Sequence, residues 1–194
     1  MSGGQQQGFT HEKADTSRLY RDEWFTPRWL IDGIGDPIFD MDVAAPDASE
    51  RALMSVRANR YLTQQQDGLL VDWNGFVWCN PPYSFIDAWS EKFTRYDGPG
   101  LWISYNRTET EWCQRLMSWC GWALFLNRRV NFVDARPQVF DKASGQYVTN
   151  ERYGSDDNAP GSGSVIFSRG SGRDYQALLL AARSNQLGKL VKMN

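Results

Sequence analysis

The sequence predicts an α/β domain on a mostly parallel, open sheet, with an antiparallel strand near its carboxyl end. Three observations predict it. The apolar runs Phe76-Val77-Trp78-Cys79, Leu101-Trp102-Ile103-Ser104-Tyr105 and Trp122-Ala123-Leu124-Phe125-Leu126 have the length of buried strands. Between them, Ile86, Trp89, Phe93 and Tyr96, and then Trp112, Leu116 and Trp119, recur at helical spacing. Short links at Gly98-Pro99-Gly100 and Gly121 separate the two periodicities, and strand–helix–strand alternation with short links means βαβ units in a parallel sheet.

The remaining elements follow in chain order. Residues 1–22 are polar, with Gln5-Gln6-Gln7, and read as a flexible arm; its His11 has no partner residue type nearby and receives no ligand role. Order begins at Trp24-Phe25-Thr26-Pro27, where Thr26 suits an N-cap and Pro27 the first helical position. Ile38-Phe39-Asp40-Met41-Asp42-Val43 alternates apolar and acidic residues as a half-buried strand does, and runs into the small residues Ala44-Ala45-Pro46. Residues 49–61 read as a helix with Leu53, Val56 and Tyr61 inward, and 64–70 as a loop carrying Asp67.

Thr108 with Glu111 reads as a capping box opening the helix of Trp112. Arg128 and Arg129 stand at a basic entry to a strand over 129–133. Residues 134–163 are a polar, Gly/Asn/Asp-rich excursion, too long for an ordinary connection and therefore read as functional. Residues 164–168 return as a strand, antiparallel to 129–133, and Tyr175, Leu178, Leu179 and Ala182 mark a last amphipathic helix. The expected organisation is an arm (1–22), a single domain (23–185) with the insertion at 134–163, and a tail (186–194).

Composition bounds the function. At 194 residues, 41% hydrophobic and 23% charged, the chain has one substantial core. A net charge of −2 argues against a protein that coats nucleic acid non-specifically, but leaves room for a local basic groove. Three cysteines without a CxxC pair argue against a disulfide framework or a zinc site, and read as reduced thiols of a cytoplasmic protein. No apolar run is long enough to span a membrane.

The chemistry concentrates in Asn80-Pro81-Pro82-Tyr83, directly after the first buried strand. Two prolines cannot continue a ladder, so the strand stops there and holds a rigid loop at its carboxyl end, where ligands bind in open α/β sheets. The Asn80 side-chain oxygen and the Pro81 carbonyl can both accept hydrogen bonds from an exocyclic amine, and Tyr83 offers a face for stacking on a flat ring. The bland reading of the same four residues is a rigid turn.

With Thr26-Pro27, Asp42-Val43-Ala44-Ala45, Asp67-Gly68-Leu69 and Asn80-Pro81-Pro82-Tyr83 in this order, the chain resembles the phage-type DNA N-6-adenine methyltransferases, the Dam-like group, from about residue 24 to 169. Asn106-Arg107-Thr108-Glu109-Thr110-Glu111-Trp112 and Asn158-Ala159-Pro160 extend the likeness. The resemblance implies a Rossmann-like S-adenosylmethionine-dependent methyltransferase fold, S-adenosyl-L-methionine as cofactor, double-stranded DNA as partner and no metal. It implies methyl transfer to the N6 amine of a flipped-out adenine. Asn80, Pro81, Pro82 and Tyr83 would form the catalytic loop. Thr26, Pro27, Asp42, Ala44 and Asp67 would line the cofactor site, with Asp42 toward the amino-acid portion and Asp67 toward the adenine amine. Arg128, Arg129 and Arg136 are candidates for DNA contacts, each also compatible with plain surface charge.

Two departures stand out. Ala44-Ala45-Pro46 replaces the family's common glycine-rich turn. Between Asp42 and Asp67 no second strand with a terminal acid for the ribose is legible, which leaves Asp47 or Glu50 for that role. Alternatives within the fold are cytosine N4, RNA or a protein amide as acceptor. Outside enzymes, the alternative is an inactive DNA-binding relative.

Overall fold

The computed structural model describes residues 22–157, 161–170 and 172–193. Seven strands form one sheet: β2 (Ile38–Asp42), β3 (Arg57–Tyr61), β4 (Val77–Cys79), β5 (Gly100–Tyr105), β6 (Trp122–Leu126), β10 (Ser164–Ser168) and β11 (Gly188–Lys192). Their spatial order is β11-β6-β10-β5-β4-β2-β3. The pairs β3–β2, β2–β4 and β4–β5 are parallel, whereas β10 runs antiparallel to both its neighbours and β11 antiparallel to β6. The fold is thus mixed α/β with a mostly parallel central sheet.

Alternation along each strand explains why both faces are covered. Val77, Cys79, Trp102, Val165 and Phe167 share one cluster with Ile86, Trp89 and Phe93 of α2 (Ile86–Arg95) and Trp112, Cys113 and Leu116 of α3 (Glu111–Trp119). Their strand neighbours Trp78, Leu101, Ile103 and Ile166 face the other way. They pack against Leu30, Ile31 and Ile34 next to α1 (Arg28–Gly33) and Ala177, Leu178 and Ala181 of α4 (Arg173–Arg183). Successive side chains of a strand point to opposite faces, so a continuous apolar run fills two cores at once.

Connections from β2 leave in opposite directions. The chain passes first to β3 on one side, then returns to place β4 on the other side and β5 beyond it. Such a reversal opens a crevice at the carboxyl ends of the two strands that flank it. Here those ends are Asp42 of β2 and the residues after Cys79 of β4; Asp42 is paired in register with Trp78. Among the described residues, two small sheets stand apart from the seven-stranded one. β1 (Trp24–Phe25) pairs antiparallel with β7 (Val133–Asp134), and β8 (Gln138–Asp141) forms a hairpin with β9 (Gln146–Thr149).

Several expectations are corrected. Residues 49–61 are not a helix: a 3-10 turn over Ala48–Leu53 leads into β3, the second strand that the sequence concealed. β3 is an edge strand whose residues are exposed or half-buried, so it carries no apolar alternation to read. Residues 129–133 contribute only the start of two-residue β7, and β10 pairs with β5 and β6 rather than with them. The excursion after Asp134 contains the β8–β9 hairpin, its turn tied by the Asp141 carboxylate to the amides of Ala143 and Ser144.

Residues 188–192 of the expected tail are edge strand β11. The capping box fails as well: α3 begins at Glu111, and Thr110, at the cap position, donates its hydroxyl to the Arg107 carbonyl. Thr26 makes no side-chain cap to α1; Pro27 holds the cap position. Asn158-Ala159-Pro160 and all but the last residue of the arm lie outside the described residues. Among the described residues no helix is long and apolar enough to cross a membrane.

Deleting residues 187–194 should uncover the β6 edge, whose unpaired backbone is a template for pairing with other chains. The expected outcome is a melting temperature lower by several degrees and earlier aggregation, followed by calorimetry and light scattering; unchanged melting would show that β11 adds nothing.

Candidate active site

A cavity of about 690 Å³ lies at the carboxyl ends of β2 and β4, within the range of about 300–1,000 Å³ common for small-molecule sites. Asp42, Ala44, Asp67 and Asn80 line it, together with Pro82. Its charge is one-sided. Asp22, Glu23, Asp42, Asp47, Glu50 and Asp67 line the walls, and no Lys, Arg or His does so among the described residues. Such a wall repels phosphate and attracts a cation.

Each element of the wall has a local cause. Asp42 ends β2 and is 3% exposed. Its Oδ1 accepts only a long bond, 3.3 Å, from the Ala44 amide, and burial pushes its carboxyl up to about 7. Glu23 is raised to about 7 as well, first by burial and then by the neighbouring carboxylates Glu50 and Asp47. Glu50 is itself shifted upward by burial and Asp47. These acids await a positive partner, because an isolated buried carboxylate is costly to ionise.

Asp67 adopts φ +52 and its Oδ1 accepts the Leu69 amide at 2.9 Å, so part of its carboxylate shapes its own turn. Gly68 beside it is forced: a Cβ would lie 2.0 Å from the Val43 carbonyl and 2.7 Å from the Trp89 ring. The loop is pinned from below by Trp73 Nε1, which donates to the Gly68 carbonyl at 2.8 Å. Lys92 Nζ donates to the carbonyls of Leu69 at 2.8 Å and Val71 at 2.6 Å.

Asn80 stands between this cavity and a second, water-sized niche of about 30 Å³, bounded by Pro81, Tyr83, Tyr105, Phe132 and Trp24. The Asn80 amide is oriented: Nδ2 donates to the Trp24 carbonyl at 2.8 Å, so the acceptor Oδ1 is the end left for an incoming donor. Tyr83 is tethered too. Its hydroxyl accepts the Tyr105 amide at 2.6 Å, and the two rings lie 5.1 Å apart. A niche the size of one water admits a base only after opening.

The sequence-derived residues do not all converge. Thr26 and Pro27 do not line the cavity; Thr26 is 3% exposed and its Oγ1 has no hydrogen-bond partner among the described residues. Trp24 and Phe25, just upstream, take that place in the wall. Glu23, Met54, Phe85 and Trp89 line the cavity without having been singled out. Of these only Phe85 carried a signal, as an apolar residue next to the Pro-Pro loop; it is 65% exposed at the rim.

Arg128 and Arg129 are exposed, with the Arg128 guanidinium 3.5 Å over the Trp29 ring. The Arg136 guanidinium is paired with the buried Asp134 and lies over the Trp24 ring. No cluster of His, Cys, Asp or Glu among the described residues is arranged to hold a metal ion. Cys79, Cys113 and Cys120 are buried, and no disulfide joins them.

Asp42 makes stability depend on pH. Its folded value, about 7, exceeds its ordinary value, so the stability it contributes is complete below about pH 4 and is lost as pH rises through 7. Asp42→Asn should match the parent protein near pH 4. It should exceed the parent by an amount on the order of a few kcal/mol above pH 7, read from urea unfolding across that range. A constant difference would place the charge elsewhere.

The DNA N-6-adenine-methyltransferase (Dam) family profile matches residues 13–145, more than half of the chain. No curated protein and no solved structure gives a match. With a loop of amide, paired prolines and aromatic ring at the sheet's switch point, and that match running across both β2 and β4, the chain belongs to the DNA N-6-adenine-methyltransferase (Dam) family.

Proposed function

We propose that this protein transfers a methyl group from S-adenosyl-L-methionine to the N6 amine of an adenine flipped out of double-stranded DNA. The observation that carries the reading is Asn80: its donor end is bound to the Trp24 carbonyl, and it stands where the acidic cavity meets the aromatic niche. An amine approaching from the niche meets an acceptor, and a cationic cofactor is drawn to the cavity.

The residues present suit that cofactor. When bound, S-adenosylmethionine supplies a methyl group already activated by its positive sulfur, so no metal or covalent enzyme intermediate is needed. Asp42 would hold the ammonium of the amino-acid portion, Ala44 would allow close approach to the backbone, and Asp67 would face the adenine amine. β3 ends at Tyr61 with no acid following it, which leaves the ribose to Asp47 or Glu50; both line the cavity. Trp24 and Phe25 take the packing role expected of Thr26 and Pro27.

Asn80 Oδ1 and the Pro81 carbonyl would accept the two amine hydrogens and stabilise positive charge developing on that nitrogen. Pro82 stiffens the loop, and Tyr83, held by Tyr105, offers its ring to the extruded base. Arg128 and Arg129 lie on the segment leading to Phe132 of the niche and are the proposed phosphate contacts. The β8–β9 hairpin, with Phe140 44% exposed, is the proposed groove-facing element.

Asn80→Ala should lower turnover on unmodified duplex DNA by about 10²- to 10³-fold while leaving cofactor affinity unchanged by calorimetry. Normal turnover would remove Asn80 from catalysis. Asp42→Ala should instead weaken cofactor binding. Near pH 6, binding to the parent protein should release protons as Asp42 ionises against the ammonium, and Asp42→Asn should reduce that release, leaving any part that Glu23 contributes. Labelled RNA or protein in place of labelled DNA would redirect the acceptor assignment.

A further inference from the structure

Arg136 does not present a free cation. Its Nε donates to Asp134 Oδ1 at 2.8 Å and its Nη2 to Oδ2 at 2.6 Å, a two-point pairing with a carboxylate that is fully buried. Its Cζ lies 4.4 Å from the centre of the Trp24 ring. Trp24 and Asp134 are register partners in the β1–β7 ladder, and the Trp24 carbonyl is the acceptor for Asn80 Nδ2. The root of the hairpin closes on the same residue: Asn150 donates through Nδ2 to the Arg136 carbonyl at 2.8 Å and through its backbone amide to the Pro137 carbonyl at 3.1 Å.

We propose that Arg136 is a positioning residue for Asn80, holding Trp24 so that the Asn80 amide keeps its oxygen toward the methyl acceptor. This rests on the reading of Asn80 as acceptor of the substrate amine. A terminal amide torsion is broad and nearly two-fold, so packing alone does not decide which end faces the substrate. A flipped amide would set an NH2 against an NH2. The orientation therefore depends on one hydrogen bond to a carbonyl in a two-residue strand, and so short a ladder has little stiffness of its own. The guanidinium plate on the indole, fixed at two points by Asp134, supplies the stiffness. Lysine would keep the charge but neither the fork nor the plate. Asp134 also neutralises Arg136 where it stands, which leaves little attraction for a DNA phosphate.

The test compares the full-length protein with Arg136→Lys. Steady-state methylation of duplex DNA is measured alongside the side-chain amide signals of Asn80 in 15N-labelled protein, assigned by their loss in Asn80→Asp. The expected result is kcat lower by about 10- to 100-fold, KM for DNA and cofactor unchanged, and the Asn80 amide signals shifted or broadened. Arg183→Lys, exposed on α4, should leave all three at their original values. Trp24→Leu keeps the Arg136–Asp134 pair and should move the Asn80 amide signals in the same way; those signals alone secure the test if Arg136→Lys does not fold, because Trp24 also lines both pockets. Unmoved Asn80 signals overturn the proposal. So does a raised KM for DNA with a shallower salt dependence at unchanged kcat, which would make Arg136 a phosphate contact. If the parent protein methylates no DNA, the functional reading fails by itself and the amide signals still decide the positioning.

Discussion

The hydrogen bond from Asn80 Nδ2 to the Trp24 carbonyl joins segments 56 residues apart and determines what the loop after β4 can do. Without it the amide is an ambiguous group, donor or acceptor by accident of rotation. With it, the amide oxygen is the end left to accept, next to the Pro81 that borders the same niche. Trp24 is outside the main sheet, in a ladder of two residues closed by β7. The loop after β4 is thus set by a strap arriving from elsewhere in the chain, and Asp134 and Arg136 contact that strap in turn.

The sheet reversal at β2 and β4 supplies the second constraint. It leaves two strand ends side by side with no crossover covering them, so Asp42 and Asn80 border the same cavity. Asp42 is buried among apolar neighbours and held at about 7. Glu23, Asp47, Glu50 and Asp67 add further negative potential at a site with no cationic side chain in its wall among the described residues. Such a wall favours a positively charged ligand over an anion, which is the property the proposed cofactor would exploit.

The hairpin after β7 is attached at the same point. Arg136, Asn150 and Asp134 form its root, while its far end carries the exposed Phe140 packed edge-on against Tyr147. One end thus contacts the strap that holds the loop after β4, and the other is exposed. Neither feature is evident from the polar composition of residues 134–163.

Local patterns in the sequence determined the sheet's central strands, helices α2 and α4, the Pro-Pro break that ends β4, and the acid ending β2, because apolar period and backbone restriction are properties of neighbouring residues. They also determined family membership, through the short motifs around Asp42, Asp67 and Asn80. Edge strands β3 and β11 stayed hidden, since an edge buries too little to leave an alternation. Only tertiary structure decided that Trp24 and Phe25, rather than Thr26 and Pro27, face the cavity. It alone gathered Glu23 with Glu50 and Asp47, and turned Arg136 inward onto Asp134 and Trp24. Those outcomes depend on contacts between distant segments, and composition and spacing do not encode which distant carbonyl an amide will meet.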